Sequence, residues 1–219
     1  MKEFIPILEQ TQLFSGVKGE EIALMLNCLQ AKLRRCQKGE YVIRQGETVD
    51  RISVLVAGCL HVQRDDFWGN RSIVNVIYPG EMFGEAYAAP GSSAVLNDVV
   101  AVEDSAVIFF DVRRVLTTCS SACRFHAAVV QNLFFAISEK NRRLVQKLGH
   151  ISRRSTREKL ISYLSEEAQR QGGGTITIPF NRQQLADFLS VDRSAMSAEL
   201  GRMRDEGLLC FEKNRFTLL

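Results

Sequence analysis

The sequence predicts an α+β protein: an N-terminal β jelly roll, a long dimerisation helix and a C-terminal winged helix. Three observations predict it. Short apolar runs recur between glycines from Gly39 to Gly80. A sustained apolar spacing of threes and fours runs from Ser120 to Leu148. Two capped helix starts lie close together at Asn181 and Asp192, ahead of a hairpin pattern. These changes of texture divide the chain at 1–119, 120–149 and 150–219.

In chain order, residues 4–30 read as helical, with Ile22, Leu24, Met25, Leu26 and Leu29 at apolar positions. Strand-like segments follow at Tyr41-Val42-Ile43, Ile52 to Val56, Leu60-His61-Val62 and Ser72 to Ile77. A second group lies at Val99 to Val102 and Ala106 to Phe110. Short strands at regular spacing, bounded by glycine turn signals, argue for a sandwich or jelly roll.

From 120 to 148, Ser120, Cys123, Ala127, Val130, Phe134, Ile137, Asn141, Leu144 and Leu148 form an a/d heptad seam. Asn141 within it is a device for fixing register between two helices. A second face, Phe125, Val129, Leu133 and Ala136, is free to pack onto the jelly roll. One helix with two apolar faces favours a homodimer, with Val130, Phe134, Ile137, Asn141, Leu144 and Leu148 at the interface.

Ser155-Thr156-Arg157-Glu158 is a capping box for a helix reaching about Arg170, which Gly172-Gly173-Gly174 stops. The basic cluster Arg153, Arg154, Arg157 and Lys159 suits either phosphates or a solvated helix start. Thr175 to Ile178 is a short strand.

Asn181 with Gln184 makes another capping box, and Asp192 caps a second helix that Gly207 ends. Only a tight turn fits at Leu189-Ser190-Val191. Leu185, Leu189, Val191, Met196, Leu200 and Met203 supply two apolar faces that fold together, with small Ala186 allowing close approach. That is a helix-turn-helix. In such a motif the start of the second helix faces base edges. Those residues are Arg193, Ser194, Ser197 and Ala198, of which Arg193, Ser194 and Ser197 have groups to offer a base. Asn181, Arg182, Gln183 and Arg202 suit phosphates. A strand, a turn at Lys213-Asn214 and a second strand then make a wing, where Lys213 and Arg215 suit a phosphate backbone. The bland alternative is a helical hairpin in a globular core with solvated charges.

The chain has 219 residues, 46% hydrophobic and 24% charged, and a net charge of +3. That charge is too small for nonspecific polyanion binding, so any nucleic-acid surface is local. No apolar run approaches the roughly 20 residues that span a bilayer, and the N-terminus lacks the apolar core of a signal peptide. A cytoplasmic location without membrane contact is expected. Six cysteines, at 28, 36, 59, 119, 123 and 210, form no Cys-x-x-Cys pair and read as buried free thiols.

The run Arg-Gln-Gln-Leu-Ala-Asp-Phe-Leu-Ser-Val-Asp-Arg-Ser-Ala-Met-Ser (182–197) with its wing resembles the signature of the Crp/Fnr family of bacterial transcription regulators. Pro79-Gly80-Glu81-Met82-Phe83-Gly84-Glu85-Ala86 resembles the pocket segment of cyclic-nucleotide-binding domains. Lys38-Gly39-Glu40 and Arg44-Gln45-Gly46-Glu47 match that family's early turns, so the resemblance covers nearly the whole chain.

The resemblance implies an effector-responsive dimer that binds a near-palindromic DNA site, with RNA polymerase as a further partner. It implies an effector pocket at Phe83, Gly84, Glu85, Ala86, Ser92 and Ser93, where Gly84-Glu85 would begin a short helix. The sequence departs from the pattern in four places. From Glu81 to Val112 there is no Lys or Arg, so the phosphate-neutralising arginine of nucleotide-binding members is missing and the effector is expected not to be cyclic AMP. Ala198 stands where many members carry a second charged base reader, and Glu199 where many have an apolar residue. The closely spaced N-terminal cysteines of the iron–sulfur members are absent.

Two other readings compete. One is a haem or redox sensor of the same fold, using His61 or a cysteine. The other is a cupin-type jelly-roll enzyme, although His61, His126 and His150 show no metal-ligand spacing. No metal site and no catalytic residue is expected.

Overall fold

The computed structural model describes residues 1–65, 67–68, 71–89, 91–117 and 124–219. The chain divides into two compact units, Met1–Ser138 and Glu139–Leu219, and the division falls inside one long helix.

Two four-stranded sheets build the first unit. Its strands are β1 (Lys32–Cys36), β2 (Tyr41–Ile43), β3 (Arg51–Ala57), β4 (Leu60–Asp65), β5 (Arg71–Ile77), β6 (Met82–Phe83), β7 (Asp98–Ala101) and β8 (Ser105–Asp111). They order as β1-β8-β3-β6 and β2-β7-β4-β5, with every pair antiparallel. The period-2 alternation of β3 and β8 assigns their side chains to two cores. Ile52, Val54, Val56, Ala106, Ile108 and Phe110 point to a layer of N-terminal helices. Leu55 and Val107 point between the sheets, where they meet Val42, Ile43, Leu60, Ile77 and Val99.

The N-terminal layer, read as helical over 4–30, is helical in pieces. It breaks into α1 (Ile5–Leu8), α2 (Gly19–Cys28) and two 3₁₀ turns at Lys2–Phe4 and Gln12–Phe14. Thr11 causes one break, because its hydroxyl donates to the Leu8 carbonyl and accepts from the Phe14 amide. Gly16, at φ 77°, causes the next. α2 then starts afresh, with the Glu21 carboxylate accepting from the Lys18 amide at 2.9 Å. The interruptions let Leu8, Leu13, Phe14, Ile22, Met25 and Leu29 all reach the sheet.

Strand β1 has no counterpart in the sequence reading, because Lys32, Arg34 and Arg35 hide its apolar pattern. It is an edge strand, where charge deters pairing with another chain. Arg34 turns its guanidinium onto the Glu40 carboxylate and the Tyr41 and Val42 carbonyls.

After β8 come α3 (Val112–Leu116), capped by Asp111, and α4 (Arg124–Ile151). The expected start at Ser120 and the seam position Cys123 lie outside the described residues, as does Cys119. Phe125, Val129 and Leu133 pack on the N-terminal layer, and Asn132 Nδ2 donates to the Leu13 and Ser15 carbonyls at 3.1 and 2.8 Å.

The second unit holds α5 (Thr156–Gln171), β9 (Thr175–Thr177), α6 (Arg182–Leu189), α7 (Arg193–Asp205), β10 (Leu209–Glu212) and β11 (Arg215–Leu218). Its three strands order β10-β11-β9, so β9 backs the wing hairpin. Leu160, Leu164, Ile176, Leu185, Leu189, Met196, Leu200 and Phe216 form its core. No helix among the described residues is long and apolar enough to cross a membrane.

Gly58, between β3 and β4, has φ 86°, and a Cβ there would lie 2.3 Å from Ser105 Oγ and 2.6 Å from the Asp104 carbonyl. Gly58→Ala therefore combines backbone strain with a clash. It should destabilise the first unit by about 2 kcal/mol or more, read as a lower urea midpoint with an unchanged slope.

Candidate nucleic-acid interface and effector cavity

Three side-chain caps place the helices of the second unit. Ser155 accepts from Glu158 N at 3.2 Å, Asn181 from Gln184 N at 2.9 Å and Asp192 from Ala195 N at 2.7 Å. Glu158 and Gln184 return the contact to the amides of Ser155 and Asn181, completing both capping boxes. Ser190, at φ 52°, makes the tight turn between α6 and α7. Gly207, at φ 74°, turns the chain out of α7 towards the wing.

Helix α7 has a buried face and an open one. Met196, Glu199, Leu200 and Met203 are buried, while Arg193, Ser194, Ser197 and Ala198 are exposed together at its start. In the sequence, Glu199 is marked only as a departure from the apolar residue that many members of the resembling family carry. The structure supplies its partners. Arg157 Nε donates to Glu199 Oε1 at 2.6 Å, and Arg202 Nη2 meets Glu199 Oε2 at 2.5 Å. A second Arg157 nitrogen, Nη2, donates to Glu206 Oε1 at 2.6 Å. The hydrogen bonds raise the Arg157 pKa further and lower that of Glu206.

The other basic residues are placed individually. Lys159 Nζ lies 3.2 Å from both the Leu189 and Ser190 carbonyls, at the end of α6. The Arg182 guanidinium lies 4.6 Å from the Phe211 ring centre and 4.9 Å from that of Phe216, tying the start of α6 to the wing. Burial there pulls its pKa down from the usual value. Gln183 Nε2 donates to Asp187 Oδ1 at 2.8 Å, and the Asn181 side chain serves as the α6 cap. Lys213, at the wing turn with φ 52°, and Arg215 are exposed.

In the first unit a cavity of about 80 Å³ opens between the sheets. Phe83, Gly84, Tyr87 and Val95 line it. Ile43, Val62, Val99 and Asn97 complete the wall. Glu85, Ala86, Ser92 and Ser93 are not part of that lining. Residues 85–87 form a turn rather than the short helix the resemblance implied, with Tyr87 N bonded to the Gly84 carbonyl at 3.1 Å. Pro79-Gly80 supplies the preceding bend, where Gly80 N bonds the Leu55 carbonyl at 2.7 Å.

The histidines lie apart. His61 is half-buried on β4, and His126 Nε2 lies 2.6 Å from the Arg114 carbonyl. His150 Nδ1 lies 2.9 Å from Ser162 Oγ, and its Nε2 lies 3.3 Å from Glu166 Oε2. Among the described cysteines Cys36 is buried, Cys59 half-buried, and Cys28 and Cys210 exposed.

A two-sheet effector-type domain, a long helix and a winged helix-turn-helix define a modular DNA-binding regulator. The chain matches the cyclic nucleotide-binding domain over residues 33–122 and the Crp-like helix-turn-helix domain over 158–219. It belongs to the Crp/Fnr family of DNA-binding transcription regulators, which are typically dimeric and are not enzymes. That membership sets aside the jelly-roll enzyme.

Among its relatives is the transcriptional activator protein FnrL of Cereibacter sphaeroides, 24% identical over 195 residues, covering 85% of this chain and 75% of that protein. The cyclic AMP receptor protein of Thermus thermophilus is 23% identical over 202 residues, covering 92% and 89%. The solved structure of OCPA-complexed CprK shares the fold with a TM-score of 0.64 at 17% identity, covering 89% of this chain and 88% of that one.

Proposed function

We propose that this regulator is a homodimer that answers to a small-molecule effector other than cyclic AMP. It reads a near-palindromic DNA site through the outer face of α7 and has RNA polymerase as a further partner. The observation that carries this reading is the two-faced α7, buried on one side and open at Arg193, Ser194 and Ser197 on the other. Arg193 is the base reader with two donors to offer a guanine, and the two serines adapt to neighbouring edges. Asn181, Arg182, Gln183, Arg202, Lys213 and Arg215 set register on phosphates. Functionally, the chain divides at 1–119, 120–149 and 150–219.

The dimer reading rests on α4. In the single chain Phe134, Ile137, Leu144 and Leu148 are 75%, 42%, 61% and 58% exposed, with Asn141 exposed among them and Val130 half-buried. So large an apolar stripe on one helix calls for a partner. Replacing both Ile137 and Leu144 by Asp buries charge without a counterion in that seam. Light scattering should then report a monomer; a persisting dimer would place the interface elsewhere.

Against cyclic AMP stand the apolar walls of the cavity, its volume of about 80 Å³, and the absence of any Lys or Arg from Glu81 to Val112. A buried phosphodiester needs charge-assisted donors, which this wall lacks. Titration calorimetry with cyclic AMP should show no binding in the micromolar range, and DNA binding should not require it. A micromolar dissociation constant would overturn this part.

Arg193→Ala removes a bidentate donor. It should cost about 1–3 kcal/mol on the selected duplex and relax preference at one position in each half-site. The salt dependence of binding should stay as it is, because no phosphate contact is lost. If the substitution weakens every duplex equally and lowers the salt slope, Arg193 is a phosphate contact and Ser194 and Ser197 are the readers.

A further inference from the structure

Arg157 belongs to a basic cluster at the start of α5, whose residue types suit a phosphate backbone. Its geometry points inward instead. Nε and Nη2 are bonded at 2.6 Å to Glu199 on α7 and to Glu206 at its C-terminal cap, carboxylates seven residues apart. Seven residues span two turns, roughly 10 Å of helix. A planar guanidinium fixed at two such points restrains both the rotation and the tilt of α7, which a single contact would not. Glu199 is 7% exposed and its second oxygen is taken by Arg202, so both lone-pair faces are matched. Two residues further along α5, Lys159 holds the Leu189 and Ser190 carbonyls and so grips the turn from which α7 departs.

We propose that Arg157 is a positioning residue for sequence reading: by holding Glu199 and Glu206 it sets the angle at which α7 presents Arg193, Ser194 and Ser197 to DNA. The proposal rests on the reading of α7 given above. It assigns Arg157 no contact with DNA. Glu199, in place of an apolar residue, makes the inner face of α7 depend on orientation. A hydrophobic side chain tolerates small rotations, whereas a buried carboxylate between two guanidiniums does not. Lysine would not substitute for Arg157, since one ammonium lacks the planar fork that meets both carboxylates.

The test uses the full chain and two duplexes. One is the sequence enriched by in vitro selection from a randomised library; the other is a shuffled duplex of equal length. Affinity for each is measured across a salt series for wild type, Arg157→Gln, Arg157→Lys and Glu199→Gln, at a temperature where circular dichroism shows each variant folded. Arg157→Gln should reduce the ratio of selected to shuffled affinity by roughly tenfold, on the order of one misaligned base contact. Its salt slope should match wild type on both duplexes. Arg157→Lys should fall with Arg157→Gln rather than with wild type, and Glu199→Gln should lower the ratio in the same direction.

A salt slope lowered by about one for each chain would make Arg157 a phosphate contact and overturn the proposal. An unchanged affinity ratio in Arg157→Gln would overturn it too, leaving the ion pairs a purely stabilising role. Full rescue by lysine would show that charge suffices and the fork does not matter. If wild type enriches no sequence at all, it is the reading of α7 that fails.

Discussion

A carboxylate buried on the inner face of α7 constrains the whole second unit. Glu199 left without partners would make α7 unstable where it packs, because a buried unpaired charge costs several kcal/mol. The sequence around it is arranged to prevent that. Ser155 caps α5 so that Arg157 falls in its first turn, facing α7. Asp192 caps α7 so that Glu199 and Arg202 follow at one-turn spacing on adjoining positions. The capping boxes thus fix more than helix ends; they set the register in which the ionic contacts are made.

Elsewhere the fold follows from helices and strands with two apolar faces. β3 and β8 carry apolar residues on both sides, so their sheet is covered by helices on one face and by the second sheet on the other. α4 likewise has one face used within its own chain, at Val129, Leu133 and Ala136, and a second face open. At its far end His150, Tyr163, Phe180 and Phe188 form an aromatic cluster, with Lys147 over the Phe188 ring. The last turns of α4 are therefore packed into the DNA-binding unit.

What the sequence made legible was local. Asn181 with Gln184, Asp192 with Ala195 and Ser155 with Glu158 are contacts three residues apart, so each announces itself in a short window. Short apolar runs likewise expose β3 and β8. The helical character of the N-terminal layer is legible, but its breaks are not, because they depend on Thr11 and Gly16 rather than on proline. β1 carries no strand signal, because an edge strand is free to carry charge.

Of the cavity lining, the sequence motif contains Phe83 and Gly84 only. Ile43, Val62, Tyr87, Val95, Asn97 and Val99 come together from scattered elements by sheet packing. Arg157 and Glu199 are 42 residues apart, and no local pattern links them. The nearest signal is Glu199 itself, a charge where many members of the family carry an apolar residue. The stacking of Arg182 on Phe211 and Phe216 had no sequence signal at all.

The central claim is that two copies of α7 read one duplex in symmetric register. Hydroxyl-radical footprinting of the full chain on the selected duplex tests it most directly. The account predicts two protected segments related by a two-fold axis, their centres separated by about one helical turn or a small multiple of it. A single asymmetric protected segment, or uniform protection without sequence preference, would contradict it.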